Sequence, residues 1–196
     1  MLGEMNHRVK NSMAMVHAIV SQTLRQADTL ENARAAIQSR IAIMAKAHDR
    51  LVKATWTETS ILEVVEAALM PHSISPGRFR IGGPVLSIGS KQALALTMAL
   101  HELATNAAKY GSLSTSTGDV VVEWDCVERP TEAEFLLSWK ERGGPPVEHP
   151  TRRGFGSRMI EQALAGYFDG TAELYYDPDG LRFELKSPFA GLAKLD

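Results

Sequence analysis

Between Glu4 and Ser12 the chain reads EMNHRVKNS, a histidine set within two turns of polar residues. On a helix turning about 100° per residue, His7 falls almost opposite the apolar centre formed by Met5, Val9 and Val16. It lies there between Glu4, three residues earlier, and Asn11, four later. A neutral imidazole exposed in this way is a competent nucleophile at neutral pH, and a carboxylate beside it can fix its tautomer or take its proton. Glu4 is the carboxylate within reach. The plain alternative is a solvated histidine among solvated Arg8 and Lys10, and the density of polar groups around it is what favours chemistry. His48 differs, because it falls on an apolar stripe and reads as a packing residue.

A second set lies in HELATNAAKYG, residues 101–111. Glu102, Asn106 and Lys109 are spaced four and three apart and share one helical face. A carboxylate, a carboxamide oxygen and an ammonium in one stripe suit a magnesium-bound nucleotide, since Mg²⁺ takes few protein oxygens and completes its shell with phosphates and water. A merely solvated polar face would explain the charges but not an asparagine inside a long apolar helix. Further on, ERGGPPV (141–147) puts a carboxylate before two glycines. Gly143 and Gly144 let the backbone approach a flat ring closely while Glu141 accepts from an exocyclic amine. Gly154-Phe155-Gly156-Ser157 then opens a helix, where free N–H groups suit anionic phosphate. Each element alone is weak; three in this order are specific.

These groups need elements to hold them. Apolar residues recur at three-four spacing through residues 1 to about 54, with a break at Gln26–Thr29. Two amphipathic helices of roughly 22 to 25 residues follow, each about 35 Å long at ~1.5 Å per residue. The short connection makes them antiparallel neighbours, and the wide apolar stripe predicts a four-helix bundle across a dimer. From about Ala54 the pattern is mixed. Ser60–Leu69 reads as a short helix with Ser60 and Glu63 in a capping box. Two short strands fall around Phe79–Ile81 and Val85–Ile88, and Ser90 caps a long helix that ends at Gly111. Val120–Cys126 and Glu134–Trp139 read as paired strands, Phe155–Phe168 as a helix, and Thr171–Tyr176 with Leu181–Lys186 as a hairpin. The expected fold class is α+β: an antiparallel helical hairpin (1–54), then an α/β sandwich (55–196) of about five strands covered by three helices.

Composition narrows the alternatives. The 196 residues carry 21 basic and 23 acidic side chains, a formal charge of −2. Without a basic excess, a general nucleic-acid binder is disfavoured. No apolar run approaches the roughly 20 residues that span a bilayer, so no membrane segment is expected in this chain. A single cysteine, Cys126, forms no internal disulfide and points to a reducing, cytoplasmic setting.

Taken together, the motifs resemble those of a two-component sensor histidine kinase of the HWE subgroup, with an ATP-binding domain of the GHKL type. The subgroup is marked by a histidine in the asparagine-bearing box, here His101, and by Trp-x-Glu in the first glycine box, here Trp139-Lys140-Glu141. NHRVKN at 6–11 resembles the phosphoacceptor box, and the resemblance covers essentially the whole chain. It implies phosphorylation of His7 by ATP, then transfer to an aspartate on the receiver domain of a response regulator that docks on a homodimeric hairpin. It further implies that Asn106 coordinates Mg²⁺ with Glu102 in support, and that Lys109 and Tyr110 face the nucleotide and its phosphates. Glu141 would read the adenine amino group, Gly143 and Gly144 line the adenine pocket, and Gly154, Phe155 and Gly156 close the phosphate end. Residues 145–153 would form a lid, and Arg152 or Arg153 reach the γ-phosphate unless solvated. Where many histidine kinases carry an acidic residue after the phosphoacceptor, this chain has Arg8, which leaves Glu4 as the candidate base. The signal would arrive from a separate sensory domain or a partner, with a hinge near 52–58. The alternatives are a phosphotransfer or docking scaffold whose nucleotide domain is inactive, and a GHKL ATPase.

Overall fold

The computed structural model describes residues 16, 20, 21, 23, 24, 29–53, 59–72, 77–128, 133–147, 157, 159–189, 193 and 194. Two compact units separate, residues 1–49 and 50–196.

In the first unit, residues 16, 20, 21, 23 and 24 are helical, and α1, Leu30–Lys53, begins there and runs past the division after Asp49. Thr29 begins α1 by accepting the Asn32 N–H on Oγ1 at 3.2 Å, which satisfies one of the donors a helix start leaves free. Arg40 donates to Thr23 Oγ1 at 2.9 Å across 17 residues. This bond sets the two helical stretches side by side, as the short connection requires. Thr23 and Ala33 are buried, whereas Leu24, Leu30 and Ile41 remain exposed.

The second unit is built on a five-stranded sheet. Its strands are β2 (Phe79–Gly82), β4 (Asp119–Val127), β5 (Glu134–Arg142), β6 (Thr171–Asp177) and β7 (Gly180–Pro188), ordered β2-β4-β5-β7-β6. Only β2 and β4 pair in parallel; every other neighbour is antiparallel. A smaller sheet joins β1 (Thr59–Ser60), β3 (Leu86–Ile88) and β8 (Ala193–Lys194). The helices are α2 (Ile61–Leu69), α3 (Ser90–Lys109) and α4 (Leu164–Phe168), the last preceded by a π-helical turn, Met159–Ala163.

Periodicity explains the layering. In α2 the buried residues are Ile61, Val64, Val65, Ala68 and Leu69, a single helical stripe. In β5 they are Phe135, Leu137, Trp139 and Glu141, alternate positions on one face. That face joins Val120, Val122 and Trp124 of β4 and Phe183 and Leu185 of β7 in one core, closed by α2, α3 and α4. The opposite face carries Glu173, Tyr175, Asp177, Arg182, Glu184 and Lys186. Lys186 pairs with Glu184 at 2.8 Å, Arg182 pairs with Asp177 and Glu184, and its guanidinium lies 3.9 Å from the Tyr175 ring centre. One face is therefore packed and the other solvated, as expected of a largely antiparallel sheet.

Local details depart from expectation. Ser60 precedes α2 but makes no side-chain cap bond; its backbone is committed to β1, opposite Ser87. The cap of α3 is Gly89 rather than Ser90, and Gly89 N–H donates to Gln92 Oε1 at 3.0 Å. Among the described residues no helix is long and apolar enough to cross a membrane.

Candidate functional site

Glu141 is one of two buried acids among the described residues. It continues the inward alternation of Phe135, Leu137 and Trp139 on β5, so its carboxylate points into the core and the residue is only 3% exposed. Its cross-strand neighbour is the fully buried Val120. Two donors meet the carboxylate: Ser112 N–H gives to Oε2 at 2.8 Å, and the Trp139 indole N–H gives to Oε1 at 3.3 Å. Burial raises the carboxyl above its ordinary range, while the bonds from Ser112 and Trp139 oppose that rise. Desolvation wins. Two donors leave lone-pair capacity on both oxygens, so the acid can still accept an N–H from a ligand.

Glycines bring the main chain against this acid. A Cβ at Gly111 would stand 2.0 Å from Glu141 Oε2, so only glycine lets the end of α3 lie here. A Cβ at Gly144 would meet Ser112 N at 2.7 Å. Gly143 adopts φ +68°, a left-handed conformation that favours glycine. Thr115 Oγ1 donates to Gly143 O at 2.9 Å, tying the segment after α3 to the one after β5. Val147 N–H donates to Pro178 O at 3.3 Å, tying that second segment to the β6–β7 turn. Beside Glu141 the Ser112 side chain is buried, and its Oγ has no hydrogen-bond partner among the described residues. An acid with spare lone pairs, a glycine floor and an unsatisfied hydroxyl together fit a flat heterocycle bearing an amino group.

α3 supplies the neighbouring polar stripe. Glu102 is buried, Asn106 half-buried and Lys109 exposed, so the stripe emerges from the core as the helix proceeds. The helix ends at Tyr110, which is 74% exposed; its N–H and that of Gly111 both donate to Asn106 O, at 2.8 and 3.2 Å. A Cβ on Gly111 would also stand 3.0 Å from Ala107 Cα, so the Glu141 carboxylate lies beside the last turn of α3. The structure thus brings Glu141, Gly144 and the Asn106-bearing end of α3 to one place. No cluster of three or more His, Cys, Asp or Glu able to hold a metal exists among the described residues. An Asn106 carboxamide completed by phosphate and water oxygens fits Mg²⁺, which keeps several non-protein ligands.

His101 is joined to a residue with no motif to announce it. The His72 Nε2 and His101 Nδ1 atoms are 3.0 Å apart, one ring donating its N–H to the other. Burial, then the neighbouring His101, pulls the His72 imidazole down to about 4. His7, Glu4, Gly154, Phe155 and Gly156 lie outside the described residues, as do Arg152, Arg153 and the 54–58 part of the expected hinge. Ser157, just beyond the glycines, is helical, and its hydroxyl stands 3.5 Å from that of Tyr176. The motifs did not point to Ser112 or His72. Trp139 was visible only as a family marker, although its position two residues from Glu141 on a strand already set both on one face.

Known proteins resemble this chain in sequence and in fold. The family model described as HWE histidine kinase matches residues 4–85. A blue-light-activated histidine kinase of Brucella anthropi is 42% identical over 186 residues, covering 94% of this chain and 38% of its own length. Its counterpart in Brucella ovis is 37% identical with the same coverage. The chain thus spans under half the length of the curated relatives it matches. Among solved structures, the Erythrobacter litoralis EL346 blue-light activated histidine kinase is similar at TM-score 0.59 and 15% identity, over 95% of this chain and 58% of that one. Its histidine kinase domain is similar at TM-score 0.55 and 12% identity, over 91% and 94%. These two likenesses show a shared fold.

Proposed function

The chain belongs to the HWE histidine kinase family, and from that premise we propose that it is the ATP-dependent autokinase core of a two-component signalling protein. Residues 1–54 serve as the dimerising phosphoacceptor hairpin and 55–196 as the ATP-binding domain. The observation that carries this reading is Glu141, a buried acid at the end of β5 backed by glycines and beside the Asn106-bearing turn of α3. The acid accepts the adenine amino group, Gly143 and Gly144 lie under the ring, and Lys109, Tyr110 and the segment Gly154-Phe155-Gly156 face the phosphates. Asn106, supported by Glu102, holds Mg²⁺, whose charge offsets that of the phosphate oxygens.

Phosphoryl transfer depends on alignment and charge neutralisation more than on covalent assistance from the protein. A ring nitrogen of His7 attacks the γ-phosphorus, the P–N bond forms as the P–O bond to ADP breaks, and the ring proton passes to Glu4 or to water. The phosphoryl group then moves to an aspartate on a response-regulator receiver domain docked on the hairpin. Exposed Leu24, Leu30 and Ile41 support a hairpin that pairs with a second copy.

The test is incubation with γ-labelled ATP and Mg²⁺. A label that is acid-labile, base-stable and absent from His7→Ala supports the autokinase. Nucleotide turnover without label instead indicates an ATPase, and absence of nucleotide binding indicates a phosphotransfer scaffold.

A further inference from the structure

Arg78, just before β2, gathers three main-chain carbonyls of one distant segment. Its Nε donates to Gly118 O at 2.5 Å, and its Nη2 donates to Thr115 O at 2.8 Å and Ser112 O at 3.3 Å. These partners lie 34 to 40 residues away, in the segment between α3 and β4. Ser112 is gripped from both sides: its carbonyl accepts from Arg78, and its N–H donates to Glu141 Oε2 at 2.8 Å. Thr115, also held by Arg78, donates from Oγ1 to Gly143 O. The contact between Gly144 and Ser112 completes the seating of the glycine floor.

Arg78 is itself fixed, since its carbonyl accepts Val120 N–H at 2.9 Å and continues the β2–β4 pairing. A rigid fork with donors at separate nitrogens can hold carbonyls at both ends of a turn, which a single ammonium cannot. We infer that Arg78 is a positioning residue for purine recognition, acting through Ser112 and Thr115 to hold Glu141 and the Gly143–Gly144 floor in register with a 6-amino purine. This rests on the assignment of Glu141 to the adenine amino group. A residue serving only to stabilise the fold would affect all nucleotides alike. A residue that aims Glu141 affects those with a donor at position 6.

The full chain, Arg78→Gln, Arg78→Lys and Glu141→Ala are titrated with Mg-ATP and with Mg-ITP, whose 6-oxo group cannot donate, and thermal unfolding is followed for each. Arg78→Gln is expected to weaken ATP about tenfold and ITP by no more than about twofold, so that the preference for ATP falls. Arg78→Lys should recover part of that preference. An equal loss for both nucleotides, or no change for either, overturns the proposal. If Arg78→Gln loses its folded transition, Arg78→Lys carries the same reading: a selective loss of ATP supports the role, and a uniform loss or none overturns it. Glu141→Ala separates the two layers. If it keeps the full preference for ATP, the adenine assignment itself fails; if it loses that preference while the Arg78 variants keep it, only the role of Arg78 fails.

Discussion

Replacing Glu141 by glutamine should cost nucleotide affinity while leaving folding stability close to that of the wild type. The carboxylate is 3% exposed and lies beside fully buried Val120, so its charge is carried at a cost, which its raised pKa reports. A carboxyl whose folded value lies above its unfolded one contributes stability at low pH and loses it as pH rises through the raised value. Above that raised value the wild-type acid is therefore a burden that the neutral amide lacks. The amide oxygen can still accept Ser112 N–H, but its NH₂ then faces the Trp139 indole N–H across 3.3 Å, forfeiting one hydrogen bond of about 1 kcal/mol. These effects roughly cancel, and the melting temperature should stay within ~3 °C of wild type or exceed it, with the variant's standing improving as the pH is raised from an acidic to an alkaline value. For ATP, the loss is of a hydrogen bond to a charged acceptor, about 1.5–3 kcal/mol, or roughly 10- to 150-fold in Kd. Thermal unfolding at the two pH values and calorimetric titration with Mg-ATP measure both quantities. Unchanged ATP affinity would refute the assignment, as would a loss of affinity that merely tracks a loss of folding.

Other perturbations have equally definite outcomes. His7→Ala should abolish protein labelling by γ-labelled ATP while leaving nucleotide affinity within about twofold of wild type; lost binding would contradict the two-part division. Asn106→Ala should weaken nucleotide binding roughly tenfold in the presence of Mg²⁺ and little in its absence, measured by titration with and without a chelator. Gly111→Ala forces a Cβ to within 2.0 Å of Glu141 Oε2; overpacking of this kind costs about 1–3 kcal/mol, visible as a lower melting temperature together with poorer ATP binding. His72, held at about 4, keeps its full contribution above its ordinary value near 6.5 and loses it as pH falls from there to about 4. The whole shift corresponds to ~3 kcal/mol, reduced to about 1–2 kcal/mol by screening at a half-buried ring. His72→Gln should flatten acid unfolding across that window, and an unaltered profile would count against the burial that holds the His72 imidazole down.

Much of the fold was legible because its signals are local. The inward alternation of β4, β5 and β7 and the apolar helix at 90–109 can be read one element at a time. The strands extend a few residues beyond their apolar runs because hydrogen-bonded pairing continues to Asp119 opposite Arg142, where alternation no longer demands apolar side chains. The two-residue strands β1 and β8 are too short to show any period. The π-helical turn at Met159–Ala163 has no spacing that sets it apart from an ordinary helix, and the Gly89 cap uses a neighbouring Gln92 side chain where the serine after it looked the better candidate. Within the site, Glu141, Gly143, Gly144, Asn106 and the marker Trp139 carried motifs, but the partners more distant in sequence did not. Ser112, Arg78 and His72 act across 29 to 40 residues, and no spacing rule reaches that far.

Glu141 shares its face of β5 with Phe135, Leu137 and Trp139, which makes the acid's location a matter of parity. Inserting or deleting one residue between Phe135 and Glu141 would turn the carboxylate out to the solvated face or drag the aromatic core out of place, whereas a change of two would preserve the facing. Length variation in this strand is therefore filtered by odd and even. Substitution at position 141 is not, since exchanging one side chain there leaves the alternation intact. A lineage can change the group presented at this position by point mutation, while the strand beneath it admits changes in length only two residues at a time.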